Sequence, residues 1–86
     1  MKRIELKNGN YKEIIYYDTE ETIIYREYYY NSKDEYNRLN GPAEIWYYSS
    51  GEIESEDYII NNKYYTKEEF YKIININRNL KLLNKK

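Results

Sequence analysis

Residues 38–63 read RLNGPAEIWYYSSGEIESEDYIINNK, and the fold turns on this stretch. Its run from Ala43 to Tyr48 is strand-like, Ser49-Ser50-Gly51 is a turn signal, and Ile53 to Ile60 is a second strand-like run that stops at Asn61-Asn62. Two such runs around a Gly-containing turn make a β-hairpin. Gly51 has no Cβ to clash at positive φ, so a tight loop sets Tyr48 opposite Glu52. The two-residue period of a strand then predicts one face with Ala43, Ile45, Tyr47, Ile53, Ser55 and Ile59. The other carries Glu44, Trp46, Tyr48, Glu54, Glu56, Tyr58 and Ile60.

The pattern occurs once more upstream. Glu13-Ile14-Ile15-Tyr16-Tyr17 aligns with Glu44-Ile45-Trp46-Tyr47-Tyr48 at a spacing of 31, and residues 28–33 align with 58–63 at 30. A fixed period of this length marks a repeat, here about 8–33 and about 40–63. Ahead of it, Lys2 to Lys7 alternates, and Asn8-Gly9 is a strong hairpin signal because both turn positions need positive φ. Asp18 to Glu21 makes the next turn, Thr22 to Tyr30 a third strand, and Asn31 to Pro42 a polar loop into the second repeat. Thr66-Lys67-Glu68-Glu69 is a capping box, so a helix is expected over about 67–83. Phe70, Ile73, Ile74, Leu80 and Leu83 form its apolar stripe, Lys81, Lys85 and Lys86 suit its C-terminal dipole, and fraying or a break is expected around Asn77 to Asn79. The expected architecture is a single α+β domain over 1–86, an antiparallel meander of about five strands with one helix on a sheet face.

Composition narrows the chemistry. Charged residues make up 34% and nearly cancel to a net charge of −1, so no strong field selects nucleic acid. With no Cys and no His, thiolate nucleophiles, imidazole bases and the common zinc ligands are missing together. Tyr, Ile, Asn and Lys account for 47 of the 86 residues, a bias that A/T-rich codons produce unaided, so the fourteen tyrosines are not binding residues by number alone. MKRIELKNGN has no apolar run of signal-peptide length, and no segment has the apolar length of a spanning helix. The expected location is the cytoplasm of the host cell, with no membrane partner.

The Gly41-Pro42-Ala43 core, the aromatic run Trp46-Tyr47-Tyr48, the turn Gly51 and Thr66-Lys67-Glu68-Glu69-Phe70 resemble the short hairpin repeats of phage and giant-virus proteins. These are built on a basic residue followed by Asp-Gly-Pro-Ala, and they are similar to MORN-type repeats. Asn40 stands where Asp is usual, and the first copy lacks the Pro-Ala pair. The resemblance covers about half of the chain and implies a viral or mobile-element origin and a repeat used as a binding surface.

Glu52, Glu54, Glu56 and Asp57 are dense enough to suggest a cation site or paired carboxylates, but strand alternation makes them a solvated face first. Ser49-Ser50-Gly51 has no base beside it and reads as a turn. The expectation is therefore a non-enzymatic protein with no catalytic residue, cofactor or metal. Tyr28-Tyr29-Tyr30 and Trp46-Tyr47-Tyr48 could stack on bases, although Glu27, Glu44 and Glu54 oppose the positive groove that such binders use. The leading expectation is a protein-binding module using Trp46, Tyr48, Tyr58, Tyr28, Glu54 and Glu56, in concrete form an anti-CRISPR-like inhibitor of host defence that acts by occlusion. An antitoxin-like or adaptor MORN-repeat protein and a nucleic-acid binder are the alternatives. The helix covers either this aromatic face, making it core, or the opposite one, leaving it in water.

Overall fold

A computed structural model describes the backbone of residues 1–83 and the side chains of residues 1–77. Strands β1 (Lys2–Glu5), β2 (Tyr11–Tyr16), β3 (Ile24–Tyr30), β4 (Glu44–Tyr47), β5 (Ile53–Ile60) and β6 (Lys63–Tyr65) precede the helix α1 (Lys67–Leu83). They form one antiparallel sheet in the order β1-β2-β3-β4-β5-β6, an open meander with one C-terminal helix. The α+β architecture is as expected, with six strands in place of about five.

The sixth strand comes from Asn61-Asn62. Both residues hold positive φ, 48° and 66°, the backbone of a two-residue hairpin turn whose twist matches its flanking strands. Asn tolerates this region because its short amide bonds locally. The turn is also anchored from outside: the Asn61 amide donates to Asn37 Oδ1 at 3.0 Å, and the Tyr36 amide donates to Asn62 Oδ1 at 2.8 Å. Asn8 and Gly9 take positive φ as expected, 60° and 78°. At Asp18 the carboxylate accepts from the Thr22 hydroxyl and from the amides of Thr22 and Ile23. These bonds favour the charged form and hold its pKa below the usual carboxylate range.

Residues 31–42 do more than connect. The Asn37 amide bonds Tyr29 O at 2.9 Å and the Arg38 amide bonds Ile59 O at 3.1 Å, so the segment fills the gap that short β4 leaves between β3 and β5. Buried backbone groups need partners, and this stretch supplies them.

Each of the two hairpins, β2–β3 and β4–β5, carries a bulge at the corresponding place. Ile15 pairs with Arg26 and Tyr16 with Ile24, leaving Tyr25 extra; Trp46 pairs with Ser55 and Tyr47 with Ile53, leaving Glu54 extra. Ile14 and Ile45 flank Glu27 in one cross-strand row, both almost fully buried. A bulge shifts alternation by one residue and exchanges the faces beyond it. The expected face assignment after Glu54 is therefore inverted. Ser55, Asp57 and Ile59 lie on the side of Trp46, whereas Glu56, Tyr58 and Ile60 lie on the side of Ile45. Likewise the second strands of the hairpins correspond at a spacing of 29, not 30, because Glu27 opposes Ile14 as Glu56 opposes Ile45. Tyr58 thus matches Tyr29 rather than Tyr28.

Helix α1 starts as the capping box predicts. The Thr66 amide donates to Glu69 Oε1 at 2.9 Å and the Glu69 amide donates to Thr66 Oγ1 at 3.1 Å, which also lowers the Glu69 pKa. Thr66→Ala should cost about 0.5–2 kcal/mol, read as a lower urea midpoint with sheet signal retained; an unchanged midpoint would show that the cap does not limit stability. The helix runs through Asn75, Asn77 and Asn79 without the expected break, since Asn costs well under about 1 kcal/mol per helical position. Its contacts with the sheet are to β5 and β6. Phe70 is fully buried, with its ring 4.9 Å from that of Tyr58. The side chains of Leu80, Lys81 and Leu83, and all of Lys85 and Lys86, lie outside the described residues.

Candidate functional site: an aromatic and arginine face

Because Tyr58 shares the face of Ile45, the helix packs on that side of the sheet, over its β5–β6 end. On the side of Trp46, Ile59 of β5 is fully buried, whereas the rings carried by β3, β4 and Tyr36 are half-buried. β3 projects Arg26, Tyr28 and Tyr30 there, directly opposite Trp46, Glu44 and Tyr11 on the neighbouring strands. The rings join in one row. Tyr11 and Tyr30 stack at 4.8 Å, Tyr30 and Tyr36 at 5.1 Å, and Tyr36 meets Tyr28 at 5.8 Å. Beyond Tyr28 the row continues through a guanidinium: Arg26 lies 3.9 Å over Trp46 and 4.5 Å over Tyr25, and its Nη1 donates to the Tyr28 hydroxyl at 2.7 Å. Tyr25, the extra residue of the first bulge, meets Trp46 edge-on at 5.8 Å and Tyr17 at 4.7 Å. At the other end Arg3 caps Tyr11 at 3.8 Å.

Most of these rings are half-buried, shielded sideways by each other and open outward. Desolvation together with a bond to Glu13 pushes the Tyr30 phenol well above its ordinary range. Burial raises Tyr17, with Tyr25 and Glu54 adding to it, and hydrogen bonding to Asp34 raises Tyr11. Arg26 forms no ion pair among the described residues, and its Nε is buried without a hydrogen-bond partner. Stacking on Trp46 and Tyr25 offsets part of that cost, each cation–π contact contributing about 0.5–2 kcal/mol. Trp46 Nε1 donates to Glu44 Oε1 at 2.7 Å.

The six residues singled out from the sequence separate. Trp46 and Tyr28 stand on this face with Arg26 between them. Tyr48 is half exposed at the tip of the β4–β5 hairpin, and Glu54 is the exposed extra residue of the second bulge, near Tyr17. Tyr58 and Glu56 are on the opposite face. Tyr58 is buried beneath Phe70, and its hydroxyl makes a long 3.4 Å contact with Glu56. The residues that complete the face and were not among those six are Arg3, Tyr11, Tyr17, Tyr25, Arg26, Tyr30 and Tyr36. Alternation along Arg26-Glu27-Tyr28-Tyr29-Tyr30 could have found Arg26 and Tyr30. Tyr36 and Tyr25 could not be found this way, because a loop and a bulge place them.

The opposite face has a smaller polar centre. Glu27 sits between Ile14 and Ile45, 3.6 Å from Lys12 Nζ, and accepts from the Tyr47 hydroxyl. Tyr29 is sandwiched by Arg38 at 3.9 Å and Lys12 at 5.5 Å. No group of three or more acidic side chains among the described residues is placed to hold a metal ion, since alternation sends Glu56 and Asp57 to opposite faces. No described helix is long and apolar enough to cross a membrane.

No family model, curated protein or solved structure matches the chain.

Proposed function

We propose that this chain is a small non-enzymatic protein-binding module whose contact surface is the row from Arg3 through Tyr11, Tyr30, Tyr36, Tyr28, Arg26 and Trp46 to Tyr17. One observation carries the reading: the helix docks over β5 and β6 on the opposite face, and a contiguous row of Tyr, Trp and Arg on the other strands is mostly half in water. These three residue types dominate the energetics of protein interfaces. The rings already hold one another in place, so little side-chain entropy remains to be lost on binding. Glu13, Glu44 and Asp57 share the face, and such carboxylates would repel a phosphate backbone, which favours a protein over a nucleic-acid partner.

The concrete form is an inhibitor that occludes a component of a host defence system, anti-CRISPR-like, in the cytoplasm of the host cell. The Gly41-Pro42-Ala43 hairpin and its likeness to phage repeats support this version. An antitoxin or adaptor would use the same face, and gene neighbourhood separates the two. The test pairs binding with unfolding. Affinity capture with the tagged chain from a host carrying the defence system should retain a defence component. Trp46→Ala should weaken that capture by about thirty-fold or more, the effect of a residue worth at least about 2 kcal/mol, while remaining folded by circular dichroism. Equal capture by a folded Trp46→Ala variant would overturn the assignment of this face.

A further inference from the structure

Among the described residues the sheet ends in two open edges, and they are not alike. At the β6 edge, Ile60 pairs with Lys63 across the two-residue turn, so Lys63 and Tyr65 direct their backbone groups inward and Tyr64 alone directs them outward. At the β1 edge the Leu6 amide donates to Asn10 O at 2.8 Å. By alternation, Lys2, Ile4 and Leu6 bond toward β2, and Arg3 and Glu5 present N–H and C=O groups to the outside. Edges of this kind are usually blunted by shortness, by charged side chains, by Pro or by a covering loop. β1 has no Pro, and its outward charges are of both signs: Arg3 and Glu5, whose side chains are 55% and 65% exposed, pair with each other at 2.8 Å.

We propose that β1 is the interface for a second copy of this chain, the two β1 strands pairing antiparallel about Ile4. The geometry is self-complementary. Antiparallel pairing centred on Ile4 sets Arg3 of one copy directly opposite Glu5 of the other, as a pair exchanging both backbone hydrogen bonds, and the two-fold axis repeats the arrangement. Opposite charges facing across strands stabilise such a pair. On the other face Ile4 meets its own copy at the closer, non-hydrogen-bonded spacing, and Leu6, which is exposed, comes to lie beside the stem of Lys2. Pairing β1 with β6 instead would run head to tail without closing, whereas β1 with β1 closes as a dimer. The sheet would continue from copy to copy, and because Arg3 caps Tyr11, the two aromatic rows would meet end to end as one surface of double length.

The experiment is the mass of the full chain in solution by light scattering over a range of concentrations. A mass of two chains at the upper end, falling toward one on dilution, is expected. Arg3→Glu and Glu5→Arg, each checked for fold by circular dichroism, should shift the dilution midpoint by at least tenfold toward monomer, because each sets like charges opposite one another. The double exchange R3E/E5R should restore the dimer, since it recreates the opposed pair. Glu5→Pro should be monomeric while keeping the β1–β2 ladder, because it removes an outward N–H. A monomer at every concentration would overturn the proposal. So would a dimer indifferent to Arg3→Glu, or one lost in Trp46→Ala, which would move the interface to the aromatic face.

Discussion

Phe70→Ala is expected to destabilise the protein by about 3–5 kcal/mol and to remove most of its helical signal. Phe70 is fully buried and is the described helix side chain that reaches furthest into the sheet, with its ring 4.9 Å from Tyr58 and 5.1 Å from Tyr71. A Phe-to-Ala change in a core loses transfer free energy and leaves a cavity. Here a second loss follows, because most of a protein helix's stability comes from the tertiary packing of its apolar face, and Phe70 supplies that packing for α1. Total stability of such domains is about 5–15 kcal/mol, so the variant should sit near its unfolding threshold. Phe70→Leu refills much of the space and should cost clearly less. Equilibrium urea unfolding with far-ultraviolet circular dichroism decides it. A loss below about 1 kcal/mol with helicity intact would mean that the helix is held by something other than this ring.

The start of that helix was legible in the sequence because a capping box is local, with both partners within three residues. The turns at Asn8-Gly9 and Ser49-Ser50-Gly51 were legible for the same reason, since the backbone conformation they need is written into the residue types. Asn61-Asn62 was readable as a turn but not as a hairpin, as the three residues after it are too few to show a strand period. The bulges at Tyr25 and Glu54 left no mark. Each is one extra residue in an alternating run, and nothing in a run of Tyr, Glu and Ile distinguishes the residue that will be skipped. Because alternation has a period of two, that single omission moved Tyr58 and Glu56 from the face of Trp46 to the helix side. Alternation puts Arg26 on the face of Tyr28, but what it does there was not legible. Its role depends on Trp46, Tyr25 and Tyr28 converging across two strands, and that follows only once the register is known.

Alkaline unfolding should be the steepest feature of this protein's stability against pH. Burial, with a hydrogen bond to Tyr71, pushes the Tyr58 phenol up to about 12. Burial raises Tyr30 and Tyr47 further still, helped by bonds to Glu13 and Glu27, and it raises Tyr17 and Tyr64 as well. In the unfolded chain all of these ionise near about 10. Above that point the unfolded state has lost protons that the native state still holds, so stability falls as pH rises. The contribution is complete below about 10 and is lost progressively as pH passes 10 and climbs through about 12. Of these phenols, Tyr30, Tyr47 and Tyr58, each neutral in the native state and ionised in the unfolded one, steepen the fall by up to about 1.4 kcal/mol per pH unit apiece. Urea midpoints should therefore be flat up to about pH 9.5 and drop sharply above pH 10, with native tyrosinate absorbance lagging that of the chain in denaturant. Tyr58→Phe should flatten part of the slope by taking away one proton without opening a cavity. Native phenols titrating with the unfolded ones near pH 10, at an unchanged midpoint, would show that the aromatic row and the Tyr58 site are open to water on both faces of the sheet.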